Sequence, residues 1–149
     1  MKKGNYSGFT LVELIVAIAI VAILTAVSVP NLLSWIPERR LTRAAGELYG
    51  NMQFARLTAI KTREDCTVTF NTSPSPGNYE IDIDGQVIKS VNLSTYGSGV
   101  TYSAAAAPIV FTPRGIASST GDVDLTNAGN TETYRARIFV SGFIKLKKL

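Results

Sequence analysis

The sequence predicts an α+β fold: one long N-terminal helix, transmembrane in its first half and amphipathic in its second, packed on a small antiparallel β-sheet domain. Three observations lead there. Residues 9–29 read FTLVELIVAIAIVAILTAVSV, an apolar run with a single charge, Glu13. Residues 31–65 carry apolar side chains at helical spacing. After Asp65 the pattern changes to period two, interrupted by loops rich in Ser, Pro, Gly and Asn. For 149 residues, one anchor and one small domain is the expected count.

Residues 1–8, MKKGNYSG, form a short, polar, basic leader. The apolar segment follows over residues 9–30. At 1.5 Å per residue the run makes a helix of ~31 Å, enough to cross a hydrocarbon core. An ionisable side chain in such a helix is costly to bury and calls for a partner. From the residues alone, two readings stand. A secretory signal peptide would use Ala26-Val27-Ser28 as its small-residue cleavage site, but the run is longer than a usual apolar core and contains Glu13. A plain anchor, with Lys2 and Lys3 on the cytoplasmic side, fits the length and leaves Glu13 unexplained.

Residues 31–65 read as the amphipathic continuation of the helix. Leu41, Ala45, Leu48, Met52, Ala55 and Ala59 alternate spacings of four and three, which places them on one stripe. Arg39, Arg40, Arg43, Glu47, Gln53, Arg56 and Lys61 lie mostly off it. Pro37 removes a backbone donor and is expected to bend or interrupt the helix, with Glu38 opening the next turn. Leu32, Leu33, Trp35 and Ile36 have little domain to cover and are expected to meet membrane or sister subunits.

Residues 66–149 are expected to form the antiparallel β domain. Strands are predicted at 66–70, 79–84, 87–91, 100–102, 109–112, 122–125, 134–140 and 143–146. Asp84-Gly85 is a hairpin signal. A sheet this small needs the helix to bury one whole face.

The composition argues against chemistry. There is no histidine, which removes the commonest general base and a common metal ligand. No Gly-rich phosphate loop follows a predicted strand, and no nucleophile elbow is present. The single cysteine, Cys66, excludes an internal disulfide and reads as a small buried residue. Asp82-Ile83-Asp84-Gly85 is like part of a calcium loop, but Leu93 stands where the closing glutamate belongs. Neither an enzyme, a metal site nor a cofactor is expected.

Charge is unevenly distributed. Arg135, Arg137, Lys145, Lys147 and Lys148 fall in residues 134–149, which hold no acid. Residues 66–133 hold six acids against Lys89 and Arg114. The tail therefore reads as a positive patch. It would serve phosphate contact with DNA, edge-strand protection by lysines, or contact with an acidic neighbour.

Gly8-Phe9-Thr10-Leu11-Val12-Glu13 resembles the processing motif of type IV prepilins. The resemblance implies cleavage after Gly8 by a prepilin peptidase, N-methylation of Phe9, and retention of the apolar helix. It implies that Glu13 pairs with the new N-terminus of a neighbouring subunit as that subunit leaves the bilayer. Pro30 falls where many pilins have a helix-bending proline.

Later stretches narrow the family. Residues 48–60 leading into 66–70, then VFTPRG at 110–115, GDVDLTN at 121–127 and RIFVSG at 137–142, are similar to GspH/FimT-type minor pseudopilins. The implied function is a structural subunit of a type II secretion pseudopilus. Its partners would be other pilins, the peptidase, an inner-membrane assembly platform and membrane lipid. The implied location is the inner membrane, single-pass, with the C-terminal domain in the periplasm and the chain incorporated into a pilus or pseudopilus. The alternative is a FimT-like minor pilin that binds DNA through its basic tail. In FimT-like competence pilins a glycine-arginine pair marks that tail; here Phe143 follows Gly142.

Overall fold

The computed structural model describes residues 8–71, 77–97, 99–103, 108–128 and 132–149, without the side chains at 27 and 29–34. Lys2, Lys3 and most of the leader lie outside the described residues, as does the Pro30 side chain. The chain divides into two compact units, Met1–Ile36 and Pro37–Leu149. One helix, α1 (Leu11–Thr62), contributes to both.

Among the described residues of the first unit the apolar side chains are exposed. Phe9 is 86% exposed, and Leu11, Ile18 and Ile23 also face outward. Among the described residues no helix is long and apolar enough to cross a membrane. This corrects the expected transmembrane first half, and with it the single-pass inner-membrane placement. The helix starts at Leu11, not Phe9, and places the ionisable Glu13 in its first turn, a group that a hydrocarbon core disfavours.

The second unit begins at Pro37. The expected interruption there is absent, and α1 is continuous through it. A proline inside a helix forfeits one backbone hydrogen bond, which a long, packed helix tolerates. The Pro37 carbonyl accepts a hydrogen bond from Asn127 Nδ2 at 3.0 Å. Beyond it, the stripe Leu41, Ala45, Leu48, Met52, Ala55 and Ala59 is buried, joined by Ala44 and Asn51.

The strands form two sheets rather than one. β1 (Cys66–Asn71), β2 (Asn78–Ile83), β3 (Gln86–Asn92) and β5 (Ile109–Phe111) make the first, in the order β3-β2-β1-β5. β4 (Val100–Ser103), β6 (Gly121–Asn127), β7 (Thr133–Ile138) and β8 (Ile144–Lys148) make the second, in the order β4-β6-β7-β8. Every pairing is antiparallel. The β2–β3 hairpin turns on Asp84 and Gly85, both at positive φ (51° and 75°), the backbone a two-residue primed turn requires. Asn92 caps the 3-10 turn Leu93–Tyr96, its side chain accepting from Ser94 N at 2.9 Å.

One hydrophobic cluster joins the three layers. It holds Leu41, Leu48 and Met52 of α1, Val68, Ile81 and Phe111 of the first sheet, and Val123, Leu125 and Ile138 of the second. A polar chain, buried at Asn51 and Tyr79 and partly buried at Lys89, accompanies it. Asn51 Nδ2 donates to the Tyr79 hydroxyl at 2.6 Å, and Lys89 Nζ donates to Asn51 Oδ1 at 2.7 Å. Burial pushes Tyr79 up to about 12, so it stays a neutral partner at physiological pH.

Cys66 is fully buried at the start of β1. Burial, with Asp82 adding to it, pushes its thiol up to about 11. The thiolate is the reactive form, so both access and ionisation protect it. Labelling by a thiol reagent at pH 8 is expected to be slower than in the denatured chain by roughly a thousandfold or more, tracking unfolding of the unit. Fast labelling of the native chain would show instead that β1 opens locally.

Candidate functional site

The helix N-terminus is the first site. Gly8, Phe9 and Thr10 precede α1, are not helical, and are exposed. A Cβ added at Gly8 would meet nothing within 4 Å, so packing does not demand glycine there. Thr10 occupies the cap position. Its hydroxyl accepts from Glu13 N at 3.2 Å. In return, Glu13 Oε2 accepts from Thr10 N and Thr10 Oγ1, each at 3.3 Å. This reciprocal pair is a capping box, and Glu13 also complements the positive end of the helix dipole. The residues carried the signal, a threonine three places before a glutamate ahead of an apolar run. Glu13 is therefore not an unexplained charge in the free chain. Its carboxylate stands against the first helical turn, four residues after Phe9, whose amine a cut after Gly8 would create.

The second site is the C-terminal pair of strands. The register places Asp122 opposite Arg137 and Asp124 opposite Arg135. Arg135 Nε and Nη2 each donate to Asp124 at 2.7 Å, and Arg137 Nε and Nη2 each donate to Asp122 at 2.8 Å. Both are two-pronged guanidinium–carboxylate pairs. The Arg137 hydrogen bonds hold the Asp122 carboxyl below its ordinary range. Both guanidiniums are correspondingly raised, each chiefly by hydrogen bonding to its aspartate. Lys148 Nζ lies 2.6 Å from Glu132 and 3.0 Å from Glu38, which raises its ammonium. Among the described residues only Lys145 and Lys147 of the five tail cations have no acid within 4.0 Å. The positive patch seen by counting charges is largely neutralised across the sheet. β8 is an outermost strand, so its lysines stand along a sheet edge.

Two glycine turns meet beside this hairpin. Gly115 and Gly142 both have positive φ, 73° and 74°. A Cβ at Gly142 would fall 1.9 Å from the Gly115 carbonyl oxygen. That oxygen accepts from Arg56 Nε of α1 at 2.8 Å. Ala117 N donates to the Val140 carbonyl at 3.0 Å. The segments 110–115 and 137–142 are thus one interlocked corner, closed by Arg56.

The chain matches the family described as type II transport protein GspH over residues 44–142, and the prokaryotic N-terminal methylation motif over residues 3–29. It is 30% identical over 109 residues to the type IV wide pilus major component PilA4 of Thermus thermophilus, covering 70% of this chain and 83% of that protein. It is 34% identical over 74 residues to the type IV major fimbrial protein FimA of Dichelobacter nodosus, covering 48% of this chain and 47% of that one. It thus spans about half of that relative's length. Among solved structures, the type IV minor pilin FimU of Pseudomonas aeruginosa superposes with a TM-score of 0.61 at 18% identity, over 74% of this chain and 90% of that one. The minor pseudopilin EpsH from the type 2 secretion system of Vibrio cholerae superposes with a TM-score of 0.59 at 13% identity, over 72% and 96%. At these identities the two structures establish a shared fold.

Proposed function

The chain belongs to the GspH family of type IV pilin-like proteins, and from that premise we propose that it serves in a type II secretion pseudopilus after cleavage behind Gly8 and methylation of Phe9. The family is one of structural subunits that assemble with related pilins. The finer partners belong to this reading: a prepilin peptidase that recognises the leader, an assembly platform, and neighbouring subunits that meet Glu13.

The observation that carries it is the geometry at the helix start. The Gly8–Phe9 bond is exposed and non-helical, immediately ahead of the Thr10 cap, as a protease substrate must be. Glu13 holds its carboxylate at the N-terminal turn. Once the bond is cut, Phe9 carries a positive amine beside the positive end of the helix dipole. That arrangement is unfavourable alone and is relieved by a nearby carboxylate. Packing exposed apolar helices together removes water from that carboxylate and strengthens its attraction to an amine. DNA capture by the tail draws less support, because Arg135 and Arg137 are already held by Asp124 and Asp122.

The test is the mass of the chain recovered from sheared filaments of cells that express the secretion machinery. The expected species begins at Phe9 and carries one added methyl group. Full-length chain beginning at Met1, or absence from the filament fraction, would refute the reading. Deletion is expected to abolish export of folded proteins and to leave DNA uptake intact.

A further inference from the structure

β8 pairs with β7 and is the outermost strand of the second sheet. The phase of that pairing follows from the bonds that bracket it. Phe139 N donates to the Phe143 carbonyl at 2.9 Å, and Leu149 N donates to the Thr133 carbonyl at 2.8 Å. In an antiparallel ladder the backbone groups of alternate residues turn to the same side. Lys145 and Lys147 therefore direct their N–H and C=O groups to β7, and Ile144, Leu146 and Lys148 hold theirs toward the open edge. The other outermost strands are better guarded. β4 and β5 are four and three residues long, β5 is bridged by Ala117, and β3 carries a register shift opposite Ile81 and Asp82. Short strands and bulges discourage further pairing. β8 runs in unbroken register through its five residues.

Side chains alternate across this edge. Ile144 is buried and Leu146 half-buried, whereas Phe143, Lys145 and Lys147 are exposed. The register continues each lysine into a row across the sheet. One row reads Asp122, Arg137, Lys145, and the other Asp124, Arg135, Lys147. In both rows the arginine holds the aspartate with two hydrogen bonds. Each lysine then stands opposite a like charge, a pairing that costs stability. Among the described residues it has no acid within 4.0 Å. A carboxylate on the far side of β8 would complete each row. Phe143, its ring 5.8 Å from that of Phe139, adds an apolar end to the same exposed face.

We propose that the β8 edge takes a strand from a different protein, an extended acidic segment that sets carboxylates two residues apart against Lys145 and Lys147. A second folded copy of this chain does not supply it. Among the described strands, β2 with Glu80 and Asp82 and β6 with Asp122 and Asp124 have that spacing, and each already pairs on both sides. Backbone hydrogen bonds from Ile144, Leu146 and Lys148 attach the incoming strand, and the lysines select it and fix its register. Edge lysines deter indiscriminate pairing, and an acidic strand is the one they attract. The contact uses neither Glu13 nor the Gly8–Phe9 bond, so it stands or falls apart from the assembly reading.

The test uses the full chain in mild detergent and a synthetic peptide with the sequence of residues 121–127, GDVDLTN, whose aspartates have the required spacing. Hydrogen exchange is read amide by amide with peptide at about 5 mM, enough to fill most of a millimolar site. Exchange is expected to slow at least about threefold at the N–H groups of Ile144, Leu146 and Lys148, which the added strand would bond. The same peptide N-methylated at its valine and leucine keeps the carboxylates but loses the donors that face β8, and is expected not to protect these amides. Lys145→Glu with Lys147→Glu is expected to bind the peptide at least about tenfold more weakly. That variant is expected to accept a peptide with lysines in place of the aspartates, which also shows that it is folded. Unchanged exchange at the three amides, equal binding of the N-methylated peptide, undiminished binding by the variant, or failure of the charge swap would overturn the proposal. A wild type that binds duplex DNA but not the peptide would overturn it in favour of phosphate contact.

Discussion

Replacing Gly142 with alanine is expected to destabilise the second unit by about 3–5 kcal/mol and lower its melting temperature by roughly 10–20 °C. Two effects combine. The residue sits at φ 74°, which costs an L-amino acid about 1–2 kcal/mol. The new Cβ would also fall 1.9 Å from the Gly115 carbonyl oxygen, which is backbone and cannot swing aside. Moving either turn away breaks the Arg56 hydrogen bond to Gly115 and strains the Ala117–Val140 link. Gly85→Ala provides the control. Gly85 has nearly the same φ, 75°, but open space around its Cβ position. It should show only the conformational cost, about 1–2 kcal/mol. Equal losses at the two sites, by thermal denaturation, would show that the interlocked corner contributes nothing beyond backbone strain.

That corner also shows where reading the sequence stops. VFTPRG and RIFVSG are visible as segments, but their contact joins residues far apart in the chain. Nothing local in either marks the missing Cβ that lets them touch. Elements governed by near neighbours were legible. The Leu41 to Ala59 stripe follows from helical spacing, the Asp84-Gly85 turn from its residue types, and most strands from alternation. The division into two sheets was not legible, because pairing β1 with β5, or β4 with β6, is a long-range choice. The tail charges were misread for the same reason. Arg135 and Arg137 looked free until the β6–β7 register set Asp124 and Asp122 opposite them. The transmembrane expectation is corrected because no helix among the described residues is long and apolar enough to cross a membrane. Counting from Phe9 also overlooked that Thr10 and Glu13 cap the helix, which starts at Leu11.

Glu13 carries the second large effect. Replacing it with alanine is expected to spare cleavage after Gly8 and reduce recovery in filaments by more than about tenfold. Breaking a buried ion pair by removing one partner typically costs about 3–5 kcal/mol, ample for such a loss. Alanine, however, removes two things at once: the negative charge and the cap on α1. Losing a cap costs about 1 kcal/mol and frays the first turn. A defect in Glu13→Ala alone therefore does not distinguish charge pairing from helix capping.

Glu13→Gln makes the distinction, since glutamine closes a capping box as glutamate does but carries no charge. The decisive measurement is the fraction of cleaved Glu13→Gln chain that enters filaments, relative to wild type, with circular dichroism confirming unchanged helix. Charge pairing with a neighbour's Phe9 amine requires that Glu13→Gln be excluded about as strongly as Glu13→Ala. Wild-type incorporation of Glu13→Gln would contradict it and leave Glu13 as a helix cap only.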